Sequence, residues 1–326
     1  MNILITGTTG FVGSKLIFHL EKEGHNVFGV DKEEEQKQTF SIHKNNKKFD
    51  LNGDFNEYPF KNENIECVLH CAAEKSDFAV SEEGYKLNNV EATKGAVKLA
   101  NFHQAEYMIY ISTVSAYGHK NEPADETADF IPDNPYGQTK YDGELICEEW
   151  VNSQKDNKLT ILRPSVIYGI KNYANMYNLM YFLLKRSYVM VGKGENIKSM
   201  VALDNFIDMI TLFCNKIPDD KISAFNCIDK PYMKVNEIMG VVSKVEGYKK
   251  PFLNIPLWLA FLLTSPFESL SRLLRKDLKI NWNRLYKLSA STDYRAEKIR
   301  DYGYTQQYSS KEKLEEMAVW LRDTLK

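Results

Sequence analysis

The chain lacks several features that would each point to a particular class of protein. Its 326 residues contain no apolar run of the length that spans a bilayer, about 20 residues. The most apolar segment, residues 255–263, is interrupted by Pro256 and followed by Pro266. The net formal charge is -2, which argues against nucleic acid as a main partner. The five cysteines form no Cys-x-x-Cys pair and have no histidine at zinc spacing. We therefore expect buried free thiols and no metal site. We find no signal-peptide pattern, and this predicts a cytoplasmic protein.

The start of the chain carries the strongest pattern in the sequence. An apolar run at residues 3–5 leads directly into a glycine-rich turn from Gly7 to Gly13, and Leu16 and Leu20 then follow at helical spacing. Backbone N–H groups and the helix dipole at such a helix start attract phosphate. Glycines let the backbone turn tightly and come close to a pyrophosphate. A strand before the turn and a helix after it together predict a dinucleotide site.

The rest of the first half alternates between apolar strands and amphipathic helices. Strands are predicted at residues 3–5, 27–30, 49–51, 67–71, 108–111 and 159–162. This alternation predicts an α/β fold, a Rossmann-type doubly wound parallel sheet. After Gly169 the pattern becomes irregular, so we expect a smaller C-terminal substrate-binding region. The predicted domains are residues 1–169, with 201–229 returning to them, and a substrate-binding region of 170–200 and 230–326.

Asp31 ends the second predicted strand and is the candidate ligand of an adenosine ribose. A carboxylate there accepts hydrogen bonds from the ribose hydroxyls and repels a 2′-phosphate. The position favours NAD over NADP, although Lys32 directly follows it.

Two clusters of hydroxyl-bearing residues, 112–118 and 134–140, suggest the chemistry. Pro135 suits the first turn of a helix, which places Tyr136 and Lys140 four residues apart on one face. A nearby ammonium lowers the pKa of a tyrosine toward the working pH. Tyr136 is then able to exchange a proton with a substrate hydroxyl during hydride transfer, while Thr113 bonds the same oxygen.

Taken together, these motifs resemble the extended short-chain dehydrogenase/reductases, and more narrowly the NAD-dependent sugar-nucleotide epimerase/dehydratase family. The similarity runs nearly end to end. It rests on Gly7-x-x-Gly10-x-x-Gly13, Asp31, Ser112-Thr113 with Tyr117-Gly118, Tyr136-x-x-x-Lys140, Arg163-Pro164-Ser165-Val166-Ile167-Tyr168-Gly169, Leu203-Asp204-Asn205 and Tyr294-Arg295-Ala296.

The resemblance implies a role for each matching residue. The NAD pyrophosphate would be held by Gly7, Gly10, Phe11, Val12 and Gly13, and the adenosine by Asp31, Asp50 and Leu51. The middle of the cofactor would contact Ala72, Ala73 and Asn88. The nicotinamide would lie beside Pro164 and Val166, together with Tyr136 and Lys140. The catalytic residues would be Thr113, Tyr136 and Lys140. The substrate-binding residues would be Thr113, Lys198 and Arg284.

Departures from the family pattern narrow the expected reaction. The 4,6-dehydratases carry Asp-Glu after the catalytic threonine, whereas Val114 and Ser115 stand here. We therefore expect a 4-epimerase acting on a nucleotide-linked sugar, preferably a UDP-sugar. A 4-ketoreductase and a 3β-hydroxysteroid-dehydrogenase-like enzyme remain alternatives. A dehydrogenase of a lipid-linked alcohol that touches a membrane through residues 255–276 and a non-catalytic NAD sensor are further alternatives.

Members of this family usually form homodimers through two helices. In this chain those helices begin near Asn88 and Tyr136. Leu145, Ile146 and Trp150 are the apolar residues expected at the dimer face.

Overall fold

The core of the fold is a parallel β-sheet, described here from a computed structural model. The structure describes residues 1–325 except residues 37, 76–79, 121, 186–189, 246, 248–253, 257 and 266–289. Its strands are β1 (Asn2–Thr6), β2 (Asn26–Asp31), β3 (Asn46–Lys48), β4 (Cys67–His70), β5 (Tyr107–Ile111), β6 (Lys158–Pro164), β7 (Val166–Tyr168), β8 (Met190–Val191), β9 (Met200–Ala202), β10 (Ile222–Cys227) and β11 (Asn254–Ile255).

Seven of these strands form one sheet in the order β10-β6-β5-β4-β1-β2-β3. All of its pairs are parallel. The strand order reverses between β1 and β4, and ligands of open α/β sheets bind at such a switch point. Side chains on both faces are covered, as a parallel sheet requires: Ile3, Leu4 and Ile5 have no exposed surface. The predicted doubly wound α/β fold is confirmed.

Helices cover both faces of the sheet. They are α1 (Gly13–Lys22), α2 (Glu82–Tyr85), α3 (Ala92–His103), α4 (Pro135–Ser153), α5 (Asn175–Leu184), α6 (Leu203–Asn215), α7 (Val235–Val245), α8 (258–265), α9 (Glu297–Asp301) and α10 (Ser310–Thr324). One turn of π-helix, Lys86–Glu91, joins α2 to α3.

The third strand was predicted in the wrong place. The sequence pattern placed it at residues 49–51, but β3 ends at Lys48. Phe49 still donates its N–H to the Asp31 carbonyl at 2.7 Å, and its side chain is buried. The chain then turns, because the Asp50 carboxylate accepts from the Asn52 N–H and the Asp50 carbonyl accepts from the Gly53 N–H. A buried aromatic residue directly after β3 therefore gave the same apolar pattern as a strand.

The segment 201–229, predicted to return to the first domain, includes most of β9 and all of β10. β9 pairs with β7 outside the main sheet, whereas β10 joins the main sheet beside β6. β7 and β9, with α5, α7 and α10, enclose a second apolar core that includes Met180, Ile238 and Leu321. The division into two domains at residue 169 stays a prediction.

None of the helices within the described residues is long and apolar enough to cross a membrane.

Candidate active site

The glycine-rich loop after β1 is shaped by close backbone contacts. Gly7 has φ of +75°, which favours glycine, and a Cβ there would lie 2.7 Å from the Ala72 backbone. A Cβ on Gly13 would lie 2.2 Å from the Gly7 carbonyl oxygen. The loop is therefore folded back on the start of α1 and pressed against the segment after β4. We call this loop, Gly7 to Gly13, the phosphate cradle. It can form only because Gly7 and Gly13 have no side chains, and the same lack of side chains lets a pyrophosphate approach the backbone closely.

Asp31 lies beside this loop at the end of β2. Its carboxylate accepts hydrogen bonds from the Thr9 N–H at 2.9 Å and the Glu33 N–H at 3.1 Å. A carboxylate has about four acceptor positions, so capacity remains for two ribose hydroxyls. Lys32 instead donates to the Asn88 side-chain oxygen at 2.8 Å. The carboxylate thus faces the loop while the adjacent cation is engaged elsewhere, an arrangement that suits NAD.

The residues predicted to flank the adenine follow β3. Asp50 is exposed and Leu51 is half-buried. A Cβ on Gly95 would lie 2.3 Å from the Leu51 carbonyl oxygen, so α3 presses directly against this segment. Their contact with adenine stays a prediction.

The two hydroxyl-bearing segments predicted from the sequence meet in the structure. Asn134 caps α4 by accepting the Gly137 N–H at 2.8 Å, and its side-chain N–H donates to the Ser115 hydroxyl at 3.0 Å. A Cβ on Gly137 would lie 2.4 Å from the Ser115 carbonyl oxygen. The first turn of α4, which carries Tyr136, is therefore docked on the turn that begins at Thr113.

Thr113 has a local structural role that is compatible with catalysis. Its hydroxyl oxygen accepts the Ser115 N–H at 3.2 Å and so caps a short 3-10 turn, Val114–Tyr117. A hydroxyl is one donor and two acceptors. The bond to Ser115 uses only an acceptor position, which leaves the O–H able to donate to a substrate oxygen.

Lys140 lies one turn below Tyr136 on α4 and is 1% exposed. Its Nζ stands 4.1 Å from the ring centroid of Tyr110. Burial lowers the pKa of Lys140 to about 8, against the opposing effects of Cys147, Glu144 and Cys71. At neutral pH the group is still mostly an ammonium, so it retains the charge that stabilises a nearby phenolate.

Glu144, a further turn along α4, was not identified from the sequence. Its carboxylate receives two hydrogen bonds from the Arg163 guanidinium, at 2.9 and 2.7 Å, and one from the Ser112 hydroxyl. The two side chains of this ion pair are 1% and 5% exposed. Burial opposes the charge of Arg163, but its hydrogen bonds to Glu144 and the negative charge of that carboxylate outweigh burial and raise the Arg163 pKa.

The same guanidinium also donates to the Tyr117 hydroxyl at 2.8 Å, and Tyr117 in turn donates to Asn226. One buried network therefore ties α4 to β6, to β10 and to the Thr113 turn. The only local sequence pattern that indicates this network is the four-residue spacing of residues 136, 140 and 144, which places them along one face of α4.

Two further buried polar residues lie behind the site. His70 is bonded through Nδ1 to the Thr6 hydroxyl at 2.7 Å and through Nε2 to the Thr93 hydroxyl at 3.2 Å. Burial, with a contribution from Lys140, lowers its pKa to about 3, so it is neutral. Asn89 bonds both the Glu74 backbone and the Thr139 hydroxyl, which joins the π-helical turn to α4. Its neighbour Asn88 is the residue predicted from the sequence to contact NAD.

Three of the residues predicted to contact the substrate or the nicotinamide lie on or after β6, β7 and β8. Pro164 ends β6 and Val166 begins β7, 39% exposed. Lys198 donates through Nζ to the Ala290 carbonyl at 2.8 Å, and burial lowers its pKa to about 8. Arg284 lies outside the described residues, so its assignment stays a prediction.

Comparison with known proteins decides the family. The profile of the NAD dependent epimerase/dehydratase family matches residues 3–227. The chain belongs to this family. It is accordingly an enzyme with NAD as its cofactor, and the cradle at Gly7 and Gly13 with the Asp31 carboxylate fits that group.

Two relatives of this chain are named as 4-epimerases. The chain is 27% identical over 314 residues to the N-acetyl-alpha-D-glucosaminyl-diphospho-ditrans,octacis-undecaprenol 4-epimerase of Escherichia coli O157:H7. The alignment covers 94% of this chain and 91% of the E. coli protein. The chain is 27% identical over 272 residues to the UDP-glucose 4-epimerase of Vibrio cholerae, covering 79% of each.

Solved structures share the fold. The UDP-glucuronic acid 4-epimerase of Bacillus cereus, in complex with NAD, aligns over the full length of both chains with a TM-score of 0.77 and 20% identity. The UDP-glucose 4-epimerase of Thermotoga maritima aligns equally fully, with a TM-score of 0.77 and 22% identity.

Proposed function

We propose that this family member is a 4-epimerase of a hexose carried on a diphosphate. The observation that carries the proposal is the docking of the Tyr136 turn on the Thr113 turn, with Lys140 buried one turn below. This arrangement supplies a proton acceptor and a hydroxyl donor for one substrate oxygen. Val114 and Ser115 provide no acid and base for an elimination, which favours epimerisation over dehydration.

Each residue would have a distinct role at the C4 hydroxyl. Tyr136 accepts the hydroxyl proton as a phenolate and later returns it. The Lys140 ammonium stabilises that phenolate, and the Thr113 O–H donates to the sugar oxygen and holds it in place. NAD, when bound, supplies the hydride acceptor and donor for the sugar carbon. Rotation of the keto-sugar within the cleft would present the other face of C4 to the returning hydride, while the proton goes back to the C4 oxygen.

Two carriers of the sugar are supported by different observations. A UDP-sugar is the first candidate, since the Vibrio cholerae relative is named for that substrate class. A polyprenyl diphosphate is the second, since the E. coli relative is named for it and matches 94% of this chain. Both carriers present a diphosphate, for which Lys198 is the proposed contact.

Substrate conversion tests the reaction directly. The purified enzyme with NAD is incubated with UDP-glucose, UDP-N-acetylglucosamine and N-acetylglucosaminyl-diphosphoryl-polyprenol, and the C4 epimers are separated by chromatography. We expect interconversion without net formation of NADH. The Tyr136→Phe variant should retain NAD binding and lose at least about 100-fold in rate. Net NADH formation with any of these substrates would favour the dehydrogenase alternative, and full activity of Tyr136→Phe would refute the catalytic assignment.

A homodimer is also proposed, with a corrected interface. Leu145 on α4 is 41% exposed and is available to a partner. Trp150 is not, because it is 3% exposed, packs in the core beneath the sheet and donates its indole N–H to Asn101 at 2.9 Å. The expectation that Trp150 contributes to a dimer face is therefore wrong.

A further inference from the structure

The outward face of α8 consists of apolar side chains. Trp258 is 68% exposed, Leu262 60% and Leu263 54%. Residues four apart share a helix face, so Trp258 lies beside Leu262 and Leu259 beside Leu263. The opposite side faces inward, as the 5% exposure of Ala260 shows. Residues 258–265 contain no charged side chain.

The two side-chain hydroxyls of α8 donate within the helix itself. The Thr264 hydroxyl donates to the Ala260 carbonyl at 2.8 Å, and the Ser265 hydroxyl donates to the Phe261 carbonyl at 2.8 Å. Serine and threonine commonly make such bonds in helices. Neither O–H therefore lacks an acceptor when the helix lies against an apolar phase.

α8 is anchored to the body of the protein at its start. The Leu259 and Ala260 N–H groups bond the Pro256 carbonyl at 3.0 Å. β11, directly before it, pairs with β8, and the chain continues from β8 toward Lys198. The pairing of β11 with β8 therefore joins the start of α8 to the strand that precedes the Lys198 segment.

We propose that α8 docks on the surface of an anionic phospholipid bilayer. Tryptophan and leucine side chains on one helix face insert at the boundary between headgroups and acyl chains. Residues 266–289 lie outside the described part of the chain, and the docking surface is α8 alone. In the sequence, residues 266–289 directly follow α8 and contain six lysines and arginines but only two acidic residues. Basic residues next to an inserted helix are attracted by anionic lipids.

The size of the surface favours a bilayer over a second copy of the chain. Three exposed side chains offer on the order of 400 Å², whereas a stable protein interface buries about 800 Å² on each partner. The patch is nevertheless continuous over three side chains, unlike the single exposed apolar residues that are normal on a protein surface. The inference goes beyond the proposed reaction and does not depend on which carrier the sugar has.

Vesicle flotation tests the proposal. The full-length enzyme is mixed with vesicles of phosphatidylcholine and phosphatidylglycerol, or of phosphatidylcholine alone. We expect flotation with the anionic vesicles and a lower partition coefficient with the neutral ones. The double variant Leu262→Ser/Leu263→Ser should reduce the partition coefficient by roughly tenfold or more, because two leucines no longer enter the apolar phase. The matched control is Ile131→Ser, since Ile131 is 65% exposed but lies far along the chain from α8.

A fluorescence readout keeps the test independent of folding defects. Trp258→Phe retains an apolar side chain, so it should still float but should lose most of the blue shift that vesicles cause in the wild-type emission. Turnover of a soluble UDP-sugar is measured in parallel for every variant. Epimerase activity that is absent while vesicle binding persists would count against the proposed reaction only.

Three results would overturn the docking proposal. One is a wild-type enzyme that does not float with anionic vesicles. Another is a double variant that floats as well as the wild type. The third is light scattering that shows a wild-type dimer and a monomeric double variant, which would make α8 an interface between two copies.

Discussion

The Glu144–Arg163 ion pair gives the sharpest test of how the catalytic helix is held. Glu144→Leu removes the carboxylate and leaves the Arg163 guanidinium buried at 5% exposure, with the Tyr117 hydroxyl as its remaining hydrogen-bond acceptor among the described residues and the Phe130 ring 4.6 Å away. An uncompensated charge of this kind costs about 3–5 kcal/mol. The double variant Glu144→Leu/Arg163→Met replaces both charges by apolar side chains of similar volume. We expect it to recover most of that loss, because such replacements are often close to neutral.

The assay is equilibrium unfolding in urea, followed by far-UV circular dichroism and by fluorescence. The free energies of the wild type, both single variants and the double variant form a cycle that isolates the coupling between the two residues. Glu149→Leu, one turn away on the exposed side of α4, is the matched control and should change stability by no more than about 0.5 kcal/mol.

The result that would refute the reasoning is a coupling energy below about 1 kcal/mol, which is typical of exposed ion pairs. Turnover provides a second readout. Because α4 carries Tyr136 and Lys140, Glu144→Leu should lower kcat more than it raises KM. A change in KM alone would mean that the pair does not position the catalytic helix.

Three other predictions follow from the site. Lys140→Met should be inactive but more stable by up to about 3 kcal/mol, since it removes a buried ammonium. In the wild type the folded pKa of about 8 lies below the unfolded value of 10.5, so stability should rise between these pH values and the variant should lack this rise. Gly7→Ala should abolish NAD binding by calorimetry, because its Cβ meets the Ala72 backbone; unchanged affinity would contradict the close-approach argument. Leu145→Glu should convert a dimer to a monomer in light scattering, and a dimer that survives would place the interface elsewhere.

The sequence was most informative where one residue type serves one local geometry. The turn at Gly7 and the start of α4 at Pro135 could be predicted because glycine suits a tight turn and proline suits the first turn of a helix. The error at residues 49–51 arose because a buried aromatic after a strand continues the same pattern as the strand itself. Glu144 and its contact with Arg163 were missed for a different reason. The two residues are 19 positions apart and meet only through the packing of α4 on β6, which no local periodicity in the sequence indicates.

The position of Ala72 against Gly7 has a consequence for the order in which the protein is built during synthesis. β1 leaves the ribosome first and pairs with β2, but the backbone that presses on its glycine loop follows β4. A nascent chain therefore cannot complete the phosphate cradle until residue 72 has emerged. The ion pair that holds α4 must wait for Arg163, and the far edge of the sheet must wait for β10. Until β6 emerges, the apolar strand β5 has an unpaired edge, so a stall in translation between residues 111 and 158 would leave the chain exposed to aggregation.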